Sequence, residues 1–221
     1  MDYNKETRTA YTSDKAKSYK LQQTKGISWI RFTTWREKSH VANSLAICNL
    51  AENSRIIDLP CGTAIMSEVF RSFPLRIFAC DISQDMMLLA KEEYDESSFG
   101  GFIQSDIIHS PFKPAVFDCS ISIGIMHRLP ADIRRQALHE IILISKEFII
   151  VSYSIDSFVQ RFKRWLMKRV FPYYKPAPSL ISLHELMKEF ALAGLKVIKR
   201  YNVMPFFSAE VVFLLKKDRT L

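Results

Sequence analysis

Three acids at the ends of apolar runs carry the first chemical signal. Asp58 closes Arg55-Ile56-Ile57, Asp81 closes Arg76-Ile77-Phe78-Ala79-Cys80, and Asp106 follows Phe102-Ile103-Gln104-Ser105. After Asp58 comes a tight small-residue turn, Leu59-Pro60-Cys61-Gly62-Thr63-Ala64, and then an amphipathic stretch, so the segment reads as strand, turn, helix. In an open α/β sheet the first such turn lies at the carboxyl ends of the strands, where backbone N–H groups and a helix N-terminus face a ligand. Asp58 and Asp81 stand 23 residues apart, close to the ~20 that separate a phosphate-type turn from the acid that takes ribose hydroxyls. A carboxylate at Asp81 can accept two hydroxyl protons, and one at Asp106 can accept from an adenine amino group. A nucleotide-like cofactor along this rim is the expectation, against the plainer role of each acid as a cap for the next helix. With a single glycine, the turn lacks the G-x-G-x-x-G fingerprint, which weighs against a pyrophosphate cradle and a nicotinamide dehydrogenase.

The elements that must position these acids follow from periodicity. Strands are expected at residues 55–59, 76–80, 102–104, 117–123 and 147–153, separated by helical patterns, and alternation of this kind implies a mainly parallel sheet covered on both faces. Gly100-Gly101 is read as a break in the chain, residues 180–193 as a helix closed by Gly194, and residues 196–203 and 209–216 as an antiparallel edge hairpin. Residues 1–25 are Lys-rich without a clear period and read as a mobile arm; residues 27–50 read as helical. With 221 residues, 48% hydrophobic and 24% charged, the composition is that of an ordinary globular domain. The four cysteines are scattered singly, so neither a zinc knot nor a disulfide framework is expected, and no metal is called for. A polar N-terminus and the lack of a long apolar run point to the cytoplasm. The net charge of +8 is uneven. Basic residues outnumber acids nine to four over residues 1–40 and six to one over residues 154–184, whereas residues 41–153 hold nine bases and fourteen acids. The basic flanks suit an anionic substrate or surface.

The turn Asp58-Leu59-Pro60-Cys61-Gly62-Thr63 resembles motif I of the class I S-adenosylmethionine-dependent methyltransferases, in the branch with a D-L-P-C-G-T turn whose substrates are mostly undefined. Ala79-Cys80-Asp81-Ile82-Ser83-Gln84-Asp85-Met86-Met87 is similar to the family's second motif, with its ribose-binding acid and D-x-S-x-x-M helix start. Ser105-Asp106, Ser110-Pro111-Phe112, Phe117-Asp118 and Ser122-Ile123-Gly124-Ile125-Met126-His127 follow in the family's order. The resemblance covers about residues 55–216. It implies a Rossmann-like methyltransferase fold: a seven-stranded, mostly parallel sheet with an antiparallel C-terminal edge hairpin and helices on both faces. It also implies S-adenosylmethionine as cofactor and S-adenosylhomocysteine as product, held by Asp58, Pro60, Cys61, Gly62, Thr63, Asp81, Ile82, Met86, Ser105, Asp106, Ile107 and Ile123. Residues 1–50 would form an arm and helix covering the cofactor, with Arg36 meeting its carboxylate, and residues 51–221 the catalytic domain. Two departures stand out. Pro60 and Ala64 occupy positions where the common turn has glycine, and Ala64 is expected to add a methyl group where backbone and cofactor come close.

Enzymes of this family align a nucleophile with an activated methyl group and, where needed, remove a proton. His127, just past the fourth strand, is the candidate general base, with a pocket-shaping structural role as the alternative. The chain lacks both the Asn/Asp-Pro-Pro-aromatic signature of base-modifying aminomethyltransferases and paired catalytic cysteines. Methyl transfer to the O or N of a small-molecule, lipid-like or glycan acceptor is therefore favoured over nucleic acid. A basic amphipathic segment at about 154–179, with Phe158, Phe162, Trp165, Leu166 and Val170 at helical spacing, reads as a lid insertion that either packs on the domain or touches an anionic membrane. Tyr173, Tyr174, Phe206 and Phe207 are candidate acceptor-pocket aromatics. The competing classes are a non-catalytic binding or scaffold protein, suggested by Pro60 and Ala64, and an RNA methyltransferase, suggested by the basic flanks. No motif speaks to oligomeric state.

Overall fold

The structure is a computed structural model and describes residues 13–25, 28–156, 158, 160–162, 165, 169, 180–205 and 207–218. Two helices, α1 (Ser13–Lys25) and α2 (Ser28–Cys48), precede a sheet built from β1 (Arg55–Asp58), β2 (Arg76–Asp81), β3 (Phe99–Gln104), β4 (Phe117–Ser122), β5 (Ser145–Asp156), β6 (Ile181–Ser182), β7 (Leu195–Asn202) and β8 (Glu210–Lys217). The helices between them are α3 (Ser67–Phe70), α4 (Gln84–Ala90), α5 (Ala131–Ile144) and α6 (Leu183–Leu192), with a 3-10 turn at Met126–Arg128. Strand order is β3-β2-β1-β4-β5-β8-β7, and the two-residue β6 pairs with β5. Strands β1 to β5 run parallel to one another, and β8 runs antiparallel to both β5 and β7. This is the expected Rossmann-like sheet with its C-terminal hairpin.

Strands with apolar residues at consecutive positions feed two cores, one on each face. Ile57, Ile149, Val151, Val211, Phe213 and Leu215 pack on one side with Leu138 and Ile141 of α5. Ile56, Ile150, Val212 and Leu214 pack on the other with Val41 and Leu45 of α2 and with Val69 and Phe70 of α3. Side chains alternate sides along a strand, so a strand buried on both faces is apolar throughout. The chain runs outward from β1 to β3 and then returns to place β4 beside β1. Loops leaving β1 and β4 therefore part in opposite directions and open a crevice at their carboxyl ends. No helix among the described residues is long and apolar enough to cross a membrane.

Three local expectations need correction. The segment read as a mobile arm contains α1, which docks through Lys20, whose ammonium donates to the Leu89 carbonyl at 3.0 Å and pairs with Glu93 at 2.7 Å. Only Ala16 is buried on this helix among its described side chains. A helix attached by polar contacts leaves no apolar stripe to read. Strand β5 continues to Asp156, past the expected end, because its last residues pair with β6. Within the basic segment the described residues Phe158, Gln160, Arg161, Phe162, Trp165 and Arg169 are helical; Leu166, Val170, Tyr173, Tyr174 and Phe206 lie outside the described residues.

Gly100-Gly101 does not break the chain but lies inside β3, at a register irregularity opposite Ile77 and Phe78. A Cβ on Gly100 would stand 2.6 Å from Phe78 Cζ, and Gly101 has φ +141°. Phe78 is backed by Phe117, ring centroids 5.5 Å apart. Gly100 thus makes room for an aromatic ring wedged against the strand, where a side chain would overpack it, and Gly101 supplies a backbone conformation that suits glycine. Gly100→Ala is expected to lower stability by ~1–3 kcal/mol, with Phe78→Leu in the same chain recovering part of the loss; urea denaturation of the two variants measures both.

Candidate active site

The crevice between β1 and β4 is a cleft of about 800 Å³, part of it open to solvent. Its floor is the turn after β1 (Pro60, Cys61, Gly62, Thr63), its β2 side is Asp81, Ile82 and Met86, and its β4 side is Ile123, Gly124 and Ile125. Asp58 closes the bottom. Tyr19 of α1, Glu37 of α2 and Arg128 complete the wall.

The Asp81 carboxylate holds two turns together. Gly62 N–H donates to Oδ2 and Ser83 N–H to Oδ1, each at 2.8 Å. Cys61 N–H adds a bond to the Cys80 carbonyl at 2.8 Å, and Ser83 caps α4 by accepting from Met86 N–H. Each carboxylate oxygen accepts more than one hydrogen bond, so Asp81 can serve the loop and still receive a ligand hydroxyl. Gly62 at φ +53° and Gly124 at φ +77° carry the backbone through conformations that suit glycine, and a Cβ on either would meet nothing within 4 Å. The space above both is open. Thr63, 2% exposed, lines this region, and its buried hydroxyl has no hydrogen-bond partner. A buried polar atom without a partner is costly, and a ligand with its own polar groups would satisfy this one.

The cleft's charges are lopsided. Asp58 is 2% exposed, and burial pushes its carboxyl up to about 7, with the Tyr94 hydroxyl, donating at 3.0 Å, acting against the shift and Asp81 adding to it. Burial also raises Asp81, while its backbone N–H partners pull it down. Glu37 is held well above the ordinary carboxylate range, first by burial and then by the adjacent Glu210 carboxyl, with Arg128 opposing. Arg128 lies 5.7 Å from the centre of the Tyr19 ring and is the only Lys or Arg in the cleft wall among the described residues. Three carboxyls face one guanidinium, so the cleft favours a cationic guest.

Of the residues singled out from the sequence, Asp58, Pro60, Cys61, Gly62, Thr63, Asp81, Ile82, Met86 and Ile123 line this cleft. Ser105, Asp106, Ile107, Arg36 and His127 are outside its lining. Asp106 accepts from Ile108 N–H at 3.2 Å, and Ser105 Oγ donates to the His109 carbonyl at 2.9 Å, which organises the turn after β3. Arg36 Nε donates to the Val203 carbonyl at 3.3 Å, which ties α2 to the end of β7. His127 sits behind the wall beside Glu210; burial is the main cause of its lowered pKa, and its Nδ1 is buried without a partner. The Ala64 methyl, expected near the cofactor, instead packs into the core with Val41 and Phe70, and φ +60° is the cost of that placement. Sequence reasoning passed over Tyr19, Gly124, Ile125 and Arg128 as cleft residues, and it named Glu37 only within the segment that could fold over the cofactor, with a surface-helix role as the alternative. The available signal was Glu37 in the aromatic stretch after Trp35.

Residues 56–147 match the family model described as a methyltransferase domain. Over 114 residues the chain is 29% identical to the demethylmenaquinone methyltransferase of Thermobifida fusca, a match covering 50% of this chain and 47% of that protein. The chain thus spans about half the length of this curated relative. Magnesium protoporphyrin IX methyltransferase from Synechocystis with bound S-adenosylhomocysteine superposes with a TM-score of 0.75 at 12% identity, covering 97% of each chain. The [4+2]-cyclase SpnF superposes with a TM-score of 0.62 at 14% identity, covering 81% of this chain and 80% of its own. Residues 56–147 thus resemble a methyltransferase domain, on a fold shared with a methyltransferase solved with S-adenosylhomocysteine.

The buried acids have a measurable signature. Asp58 keeps its proton in the folded protein up to about 7, against 3.8 ordinarily. The native state therefore gains from this group at low pH and loses that gain as pH rises through the folded value. Replacing Asp58 by Asn, which still accepts from Tyr94, is expected to remove roughly 2–3 kcal/mol of the stability lost between about pH 5 and pH 8, read from denaturation midpoints across that range.

Proposed function

We propose that the protein transfers a methyl group from S-adenosylmethionine to an oxygen or nitrogen of a small-molecule, lipid-like or glycan acceptor. The observation that carries this reading is the carboxyl-rich cleft at the β1–β4 switch point, floored by the open Gly62 turn and anchored by Asp81. The residues fit the cofactor: Asp81 for ribose hydroxyls, Ile82 and Met86 for the apolar nucleoside face, the Gly62 turn and Thr63 hydroxyl for the amino-acid portion. When bound, the cofactor supplies a methyl group on a cationic sulfur, and the acceptor heteroatom bonds to that carbon as the carbon–sulfur bond breaks with its electron pair left on sulfur.

The acceptor class rests on the exposed aromatics of the chain. Trp29, Trp35, Phe158, Phe162, Trp165 and Phe207 are all exposed. Trp29 and Phe207 meet edge to face at 5.9 Å, and Arg169 lies 5.6 Å from the Trp165 ring centre. Aromatics interleaved with bases suit an amphipathic acceptor with an anionic end, and the same surface supports peripheral contact with an anionic membrane. The two methyltransferases named above act, by their names, on a menaquinone precursor and a porphyrin, and large apolar acceptors of this kind agree with the reading. A binding protein without turnover is the second reading, motivated by Pro60, which removes a backbone donor from the turn after β1. The place of the Ala64 methyl in the core removes one of its motives.

Calorimetric titration with S-adenosylhomocysteine tests the cofactor assignment. Wild-type protein is expected to bind, and Asp81→Ala to bind about 10- to 100-fold more weakly, the loss of one or two hydrogen bonds to a charged group. Equal affinity in a folded Asp81→Ala variant would remove the ribose assignment. Methyl transfer from labelled cofactor to a panel of quinols, phenols, anionic lipids and glycans separates the enzyme from the binding protein.

A further inference from the structure

The helical residues that follow β5 carry an inverted pattern. Phe158, Phe162, Trp165 and Arg169 recur at i, i+4, i+7 and i+11, which at 3.6 residues per turn puts them in one sector of roughly 60°. Gln160 falls on the opposite side. Gln160 is buried, whereas Phe158, Phe162 and Trp165 are 76%, 55% and 56% exposed. The Phe162 and Trp165 rings stack with centroids 5.8 Å apart, and the Arg169 guanidinium lies 5.6 Å from the centre of Trp165. An amphipathic helix of a globular domain turns its apolar stripe toward the core. This stripe is turned away from it.

The inner side has contacts of its own. Gln160 lines a second cleft of about 810 Å³, part of it open to solvent, together with Ile155 of β5, Arg200 and Asn202 of β7, and Pro205 and Ser208 of the loop into β8. The same loop carries the exposed Phe207, which meets Trp29 of α2 edge to face at 5.9 Å. Arg161 pairs with Asp156 at 3.6 Å and ties the start of the helix to the end of β5. The aromatic stripe and the Trp29–Phe207 pair therefore flank one cleft.

We propose that this face seats the protein on an anionic lipid bilayer, with Phe158, Phe162 and Trp165 in the headgroup layer and the neighbouring bases against lipid phosphates. Residues 158–171 hold five bases and no acid. That charge suits an anionic surface and repels a second copy of the chain. Rings and bases together on an exposed helix are the composition that lies in a membrane interface. Single-stranded nucleic acid also takes up exposed rings, but by stacking bases on open ring faces. Here Trp165 already stacks on Phe162 and lies beside Arg169, and Trp29 packs against Phe207. Docking of this kind needs no cofactor and stands apart from the methyltransferase reading.

Co-sedimentation of the whole chain with vesicles reads the contact directly. At about 0.1 M salt the protein is expected to partition about 10-fold or more in favour of phosphatidylcholine vesicles with roughly one third phosphatidylglycerol over phosphatidylcholine alone, and to detach as salt rises toward about 0.5 M. Phe158→Ser, Phe162→Ser and Trp165→Ser in one chain are expected to weaken partitioning more than about 10-fold, with folding checked by thermal melting. Arg169→Gln is expected to weaken it about 5-fold, the effect of one base near a charged surface. Leu192→Ser, which removes an apolar side chain 90% exposed on α6, is expected to leave it unchanged. Should the triple variant not fold, Arg169→Gln compared with Leu192→Ser decides the matter. Absence of partitioning by folded wild-type protein, equal partitioning onto the two vesicle types, or partitioning that the folded triple variant retains overturns the proposal. Binding to polyuridylate in place of vesicles, lost in the triple variant, overturns it in favour of nucleic acid. A dimer in solution that the triple substitution dissolves overturns it in favour of a second copy.

Discussion

Buried negative charge is the constraint around which this molecule is arranged. Asp58, Asp81 and Glu37 come from β1, β2 and α2, three elements that meet at the crevice the strand order opens between β1 and β4. Each acid has something to offset its loss of water: the Tyr94 hydroxyl for Asp58, two backbone N–H groups for Asp81 and the Arg128 guanidinium for Glu37. None of these offsets is complete, since burial still raises Asp58, Asp81 and Glu37. Such an arrangement is stable as a protein and receptive as a binding site, because a cationic guest supplies the missing compensation.

Asp81 shows how structural and binding roles combine in one side chain. Its two oxygens fix the turn after β1 to the turn after β2, and the same oxygens face the cleft. The expectation that a strand-end acid either caps a helix or binds a ligand is therefore too narrow here. Asp106 follows the first role, holding the Ile108 N–H in the turn after β3, and the Gln104 amide donates to the Ile82 carbonyl at 3.1 Å between that turn and the cleft.

Much of the frame was legible because parallel strands buried on both faces are written as continuous apolar runs. Phe148 to Val151 and Val211 to Leu215 could be read as strands without knowing their neighbours. The Gly62 turn and the spacing to Asp81 were legible for the same local reason. What escaped was written in long-range contacts. Glu210 stands at the head of an apolar strand, and the hydrogen bond that it accepts from Ser152 joins residues far apart in the chain. Helix α1 has no apolar stripe and is held by Lys20. Gly100 reads as a breaker until the Phe78 ring is seen to occupy the space its side chain would take.

The most direct test of this account is a crystal structure of the protein with S-adenosylhomocysteine. The account predicts the ribose hydroxyls on the Asp81 carboxylate, the nucleoside against Ile82 and Met86, and the sulfur on the side of the cleft walled by Glu37 and Gly124. A ligand bound elsewhere on the chain, or ribose hydroxyls turned away from Asp81, would contradict it.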